Sequence, residues 1–143
     1  MKTVLRFVVL AVATALMILA APVTAIAQKA SPQMPDAPRY DLRQEVTIKG
    51  TVLDVKDYSC PISGGVGTHV TLKTAEGDVV VHLALANFAR EYGIQITAGQ
   101  HIEMIGVRMT FRDQPAFMPR ILKINNDTYF LRDKNGTPLW SGL

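Results

Sequence analysis

The chain has 143 residues, a length that fits one domain. Its formal charge of +3 comes from 15 basic and 12 acidic residues. Lys2 and Arg6 lie in a predicted targeting segment, and without them 13 basic residues stand against 12 acidic residues. This near-neutral balance gives no electrostatic basis for nucleic-acid binding.

Residues 1–27 have the pattern of a signal peptide. Lys2 and Arg6 precede an apolar run, Phe7–Ala21, and small residues occupy positions 25 and 27. We predict cleavage after Ala27 and therefore a periplasmic or secreted protein. The run is shorter than the roughly 20 residues of a spanning helix, although its retention as an anchor is the alternative. No later apolar run is long enough to span a membrane after signal removal.

Residues 28–40 contain three prolines among small and polar residues, which predicts a flexible tether before a domain at residues 41–143. Glu45–Val55 alternates apolar and polar residues as a strand does, with Gly50 at a position suited to a bend. Lys56–Gly67 contains proline and three glycines, which favours a loop.

Thr68–Leu83 is predicted to form a hairpin with a turn at Glu76-Gly77. One face of this hairpin is apolar and consists of Val70, Leu72, Val81 and Leu83. The opposite face consists of His69, Thr71, Lys73, Val80 and His82. Burial of the apolar face favours this register, since a slip by one residue would bury polar side chains.

A short helix is predicted at Ala84–Tyr92, ending before a glycine. Two further strands, His101–Phe111 and Phe117–Ile124, are joined by a polar turn. Thr128–Leu131 and Thr137–Trp140 flank an Asn-Gly turn, which predicts an added C-terminal hairpin. The chain is therefore predicted to be mainly β, with five strands and a short helix between the third and fourth. This is the element order of an OB-like barrel.

The segments KGTVLDV, THVTLKTAEGDVVVHL and AGQHIEMIGV carry a resemblance that covers about Glu45 to Ile124. The chain resembles small exported bacterial OB-fold proteins. The resemblance implies a fold and a compartment outside the cytoplasm, and no particular chemistry.

OB barrels bind ligands on the outer face of strands 2 and 3 and on the neighbouring loops. The predicted ligand face is His69, Thr71, Lys73, Val80 and His82, with Tyr58, Phe111 and Arg112 from the flanking loops. A peptide, a glycan or a protein partner fits such a face. An oligonucleotide fits it less well, because the hairpin face has a single lysine and no aromatic ring.

His69 and His82 are predicted to be diagonal neighbours, with backbones roughly 7–8 Å apart and side chains able to converge. Cys60, the single cysteine, lies in the bordering loop. Sulfur combined with imidazole suits copper or zinc, so these three residues are candidate metal ligands. The alternatives are two histidines on a solvated sheet face and a buried, inert cysteine.

No serine or acidic residue forms a recognisable catalytic constellation with a histidine in this sequence. We therefore expect a non-catalytic binding module for a peptide, glycan or protein partner. The alternatives are a periplasmic metal-binding protein that uses His69 and His82, and an oligonucleotide-binding OB domain.

Overall fold

Strands make up most of the folded chain, and a computed structural model describes residues 38–141. The elements are β1 (Glu45–Cys60), β2 (Gly65–Thr74), β3 (Gly77–Leu85), α1 (Ala86–Glu91), β4 (His101–Phe111), β5 (Gln114–Ile124) and β6 (Asp127–Phe130). The mainly β class and the short helix between the third and fourth strands are thus confirmed. The predicted signal peptide and residues 28–37 of the predicted tether lie outside the described residues. Across residues 38–141, no helix has the length and apolar character needed to cross a membrane.

The six strands form one sheet in the order β3-β2-β1-β4-β5-β6. Neighbours in this order are antiparallel. In addition, β3 pairs in parallel with β5, where Val80 is opposite Ala116 and Val81 is opposite Phe117. This pairing closes β1–β5 into a ring, and β6 pairs with the last residues of β5.

Strand β1 is longer than predicted, because it continues through Lys56–Cys60. At its end, Cys60 pairs with Gly65 of β2. The prediction of a loop over residues 56–67 is therefore wrong except for the turn at residues 61–64. The glycines that favoured a loop allow close packing within the strand pair, since a Cβ at Gly67 would overlap the Ser63 hydroxyl.

Irregularities of the sheet, including the bend predicted at Gly50, have steric causes. A Cβ at Gly50 would overlap the carbonyl oxygen of Lys73, and a Cβ at Gly106 would overlap that of Met118. Opposite Gly106, Pro119 lies at a shift in the β4–β5 register, as expected for a proline within a strand. These positions let the strands approach and bend into the ring.

Helix α1 begins at Ala86, two residues later than predicted, because β3 continues to Leu85. Phe88 on this helix is fully buried in the core. The predicted C-terminal hairpin is present only in part within residues 38–141. Its first arm, β6, pairs with β5, and its second arm is reduced to one bridge between Arg132 and Pro138. Pro138 has no N–H with which to extend a ladder.

Candidate metal centre

The hairpin of β2 and β3 places His69 directly opposite His82. The predicted register had Thr71 opposite His82 and so differs from the structure by two residues. A shift by two residues leaves each side chain on its original face of the sheet. The predicted faces are therefore correct, and the two histidines are closer than expected.

The different register follows from the turn, which is Ala75-Glu76 instead of the predicted Glu76-Gly77. The Thr74 hydroxyl donates to the Gly77 carbonyl at 2.7 Å and accepts the Glu76 N–H at 3.1 Å. Gly77 has a φ of 123°, which a residue with a side chain rarely adopts. These local hydrogen bonds close the turn one residue earlier than predicted.

Cys60 meets the histidine pair from the end of β1. Its Sγ is 3.2 Å from Nδ1 of His82, and Nε2 of His69 is 3.1 Å from the same nitrogen. The three potential ligand atoms all lie within 4.8 Å of one another. The side chains are buried, with exposed fractions of 2% for Cys60, 3% for His69 and 4% for His82.

The expectation of a solvated sheet face is wrong for the two histidines, because aromatic residues cover them. The Tyr58 ring stacks on His69 with centroids 3.6 Å apart and planes 9° apart. The Phe111 ring meets His82 edge-on at 5.1 Å. Tyr58 remains 45% exposed and forms the outer surface of the cluster.

The turn between β4 and β5 also contributes to the cover. Arg112 and Asp113 form this turn with φ values of 50° and 61°, a conformation that is costly for residues other than glycine. The turn directly follows Phe111, and the Arg112 guanidinium lies over the Phe111 ring at 5.1 Å from its centroid. Strained backbone of this kind is commonly found beside functional sites.

Burial keeps both imidazoles neutral near pH 7. Loss of solvation is the main cause that lowers the pKa of His82 to about 4, and the neighbouring His69 lowers it further. Burial also lowers the pKa of His69, against an opposing effect of backbone groups of Gly67 and Lys56. The neutral imidazole is the form that binds metal ions.

The remaining residues of the predicted ligand face lie outside the cluster. Thr71 and Val80 are opposite each other and half-buried, whereas Lys73 is exposed. The third histidine, His101, is exposed and contacts the Thr51 hydroxyl at 2.9 Å. The structure thus brings together the three predicted metal ligands, whereas Thr71, Val80 and Lys73 remain predicted ligand-face residues outside the cluster.

One contact near the cluster had no signal in the sequence. The indole N–H of Trp140 donates to the Ser63 carbonyl at 3.2 Å, across 77 residues of chain. Ser63 lies in the turn that follows Cys60. A tryptophan near the end of a chain predicts burial but does not identify a partner so distant in sequence.

Comparison with known proteins identifies a family. No curated protein matches this chain. The model of the MamS/MamX magnetosome protein family matches residues 44–129, which include Cys60, His69 and His82 and make up more than half of the chain. This is a small bacterial family, and its description indicates a cell-associated protein. The chain belongs to the MamS/MamX magnetosome protein family.

Proposed function

We propose that this protein is a non-catalytic metal-binding domain that holds one copper or zinc ion through Cys60, His69 and His82. The observation that carries the proposal is the convergence of three buried donor atoms within 4.8 Å. These atoms come from two adjoining strand pairs, β1–β2 and β2–β3, so their spacing is set by the sheet.

Hydrogen bonding alone accounts poorly for this cluster. Nδ1 of a neutral His82 carries either one hydrogen or one lone pair, yet it has two close neighbours, at 3.1 and 3.2 Å. That single hydrogen or lone pair is therefore shared between the two contacts. A metal ion would accept a lone pair from all three donor atoms at once.

The donor set and its dimensions suit copper or zinc. Zinc lies about 2.0–2.1 Å from imidazole nitrogen and about 2.3 Å from thiolate sulfur, which puts tetrahedral ligand atoms about 3.3–3.6 Å apart. The two contacts of His82 Nδ1, at 3.1 and 3.2 Å, are slightly shorter than this spacing, and all three donor atoms lie within 4.8 Å of one another. Thiolate favours copper and zinc over magnesium or calcium, and two histidines with one cysteine are ligands that copper uses.

We assign the ring of strands to an OB-like barrel. Support comes from the order β1–β2–β3–β5–β4–β1, the parallel β3–β5 pairing and the helix between β3 and β4. The centre then lies on the outer side of strands 2 and 3, where such barrels bind ligands. Export into the periplasm or the medium, with cleavage after Ala27, completes the proposal, and retention of the segment as an anchor is the alternative.

A partner-binding role is the second candidate, favoured by exposed apolar side chains on strands β1 and β2, which carry Cys60 and His69. Tyr58 is 45% exposed and Val66 is 54% exposed. Arg112 forms no ion pair with any residue among 38–141, so its charge is available to a peptide, glycan or protein. The oligonucleotide alternative is less supported, since the Tyr58 and Phe111 rings already contact the histidines.

Titration of the purified full chain with zinc, and anaerobically with Cu(I), tests the proposal. Histidine ring resonances followed by NMR should shift for His69 and His82 at one equivalent of metal, while His101 stays unchanged. If neither clustered histidine responds to either metal, the metal-binding proposal is wrong. Separately, a Tyr58→Ala variant that loses a peptide or glycan captured by the wild type, with an unchanged response of its histidines to metal, would establish the second role.

A further inference from the structure

The turn that follows Cys60 is held by a residue from the far end of the described chain. Trp140 is 5% exposed, and its indole N–H donates to the Ser63 carbonyl at 3.2 Å. Within the turn, the Gly64 N–H donates to the Cys60 carbonyl at 3.1 Å. The Trp140 bond thus acts on a four-residue turn, Pro61–Gly64, that begins directly at the candidate sulfur ligand.

The opposite side of this turn packs on the strand that carries His69. Ser63 is 5% exposed, and its side chain lies so close to Gly67 that a Cβ there would overlap it. Gly67 precedes His69 by two residues on β2. Displacement of Ser63 would therefore alter the relation between Cys60 and His69.

Trp140 is in turn held rigidly by its own neighbours. Its ring lies 5.4 Å from the Phe88 ring of α1, and the Arg132 guanidinium lies over it at 5.3 Å. Arg132 is buried between Trp140 and the Tyr40 ring, 5.0 Å away, and donates to the Gly136 carbonyl at 3.1 Å. A cation between two aromatic rings stabilises such a stack.

We infer that Trp140 is a positioning residue that fixes Cys60 relative to His69 and His82 and thereby sets the metal affinity of the cluster. Trp140, Arg132 and Tyr40 all lie outside residues 44–129, the part that matches the family model. The segments that flank the matched part therefore influence the metal affinity of a site whose ligands lie within that part. The effect of Trp140 on metal affinity rests on the proposed function, whereas its effect on the position of Cys60 does not require metal.

Trp140→Phe tests this inference, because it keeps an aromatic ring against Phe88 and removes the N–H donor. In the metal-free full chain, thiol labelling of Cys60 should become several-fold faster. Loss of one buried hydrogen bond corresponds to about a ten-fold weakening, which is the expected loss of affinity for Cu(I) or zinc in chelator competition. Tyr92→Leu is the matched control, since Tyr92 stacks on the same Phe88 ring at 4.2 Å and should leave both quantities unchanged.

The inference is wrong if Trp140→Phe and the wild type label at the same rate. If the wild type binds no metal but labelling accelerates, the metal proposal fails and the positioning role stands. Hydrogen exchange in the wild type decides the matter if Trp140→Phe does not fold. The Gly64 amide and the Trp140 indole N–H should exchange at similar rates, and a Gly64 amide that stays protected while the indole exchanges would refute the role.

Discussion

Two regions of this sheet carry histidine, and the same side chain behaves differently in each. His69 and His82 are buried against Cys60 under aromatic rings, whereas His101 is exposed and contacts Thr51. Close to His101 on β4, Glu103 forms ion pairs with Lys49 and Lys123 at 2.8 Å. The buried region thus gathers lone-pair donors, whereas the surface region gathers opposite charges. Burial of the histidine side chains, more than residue type, distinguishes the candidate metal centre from an ordinary solvated face.

The largest expected difference between the two regions is in metal affinity. Cys60→Ser should weaken Cu(I) or zinc binding by at least about 100-fold, since even outer-shell changes cost 10–100-fold. His101→Ala, which also removes one potential ligand, should leave the affinity unchanged. Competition against a chromogenic chelator measures both variants. Equal losses in the two variants would show that the buried cluster is not the site.

Acid should destabilise the metal-free protein through the buried region. The pKa of His82 is lowered from 6.5 to about 4, so between these values the unfolded chain binds more protons than the folded one. Stability is therefore present above pH 6.5 and is lost as the pH falls towards 4, by roughly 3 kcal/mol for His82. The lowered pKa of His69 adds to the loss in the same direction.

Urea unfolding at a series of pH values measures this loss. The decrease should be much smaller in His82→Gln, which cannot titrate, and should persist in His101→Gln, which keeps the buried pair. A decrease of the same size in all three proteins would mean that groups other than the buried pair cause it.

Much of the fold followed from local patterns, because alternation and glycine positions act over short distances. The apolar face of the β2–β3 hairpin and the helix after β3 were both predicted correctly. The turn at Ala75-Glu76 was not predicted, since it depends on two hydrogen bonds of the Thr74 hydroxyl. The extension of β1 to Cys60 was missed because glycine was read as a loop signal.

The residues of the candidate site could be predicted from the sequence, but their burial could not. Alternation along the strands placed His69 and His82 on one face, and the short distance to Cys60 in sequence made it a plausible third ligand. Their burial comes from Tyr58 and Phe111, which close over the face from two separate hairpins. Contacts of this kind depend on tertiary structure, which no local pattern encodes.

Removal of the Tyr58 ring, which covers His69, should have a smaller effect than the changes at Cys60 and His82. Tyr58→Ala should reduce the free energy of unfolding by about 1 kcal/mol, a usual value for an aromatic pair. It should also expose His69 to modification by diethylpyrocarbonate. Tyr92→Ala removes a comparable stack from Phe88 and should destabilise the protein similarly, without exposing His69. Equal protection of His69 in both variants would show that Tyr58 is not its cover.

The smallest effect is expected where charges meet solvent. Hydrogen bonds from Lys123 and Lys49 lower the pKa of Glu103 to about 2, yet the lysine side chains are 45% and 73% exposed. Water and salt screen such pairs, so Glu103→Gln should leave both the thermal midpoint and the metal affinity within experimental error. A clear drop in the midpoint that vanishes in high salt would show that this surface network stabilises the sheet. A drop in metal affinity would instead show that the two regions are coupled, because Glu103 lies on β4, next to the strand that ends in Cys60.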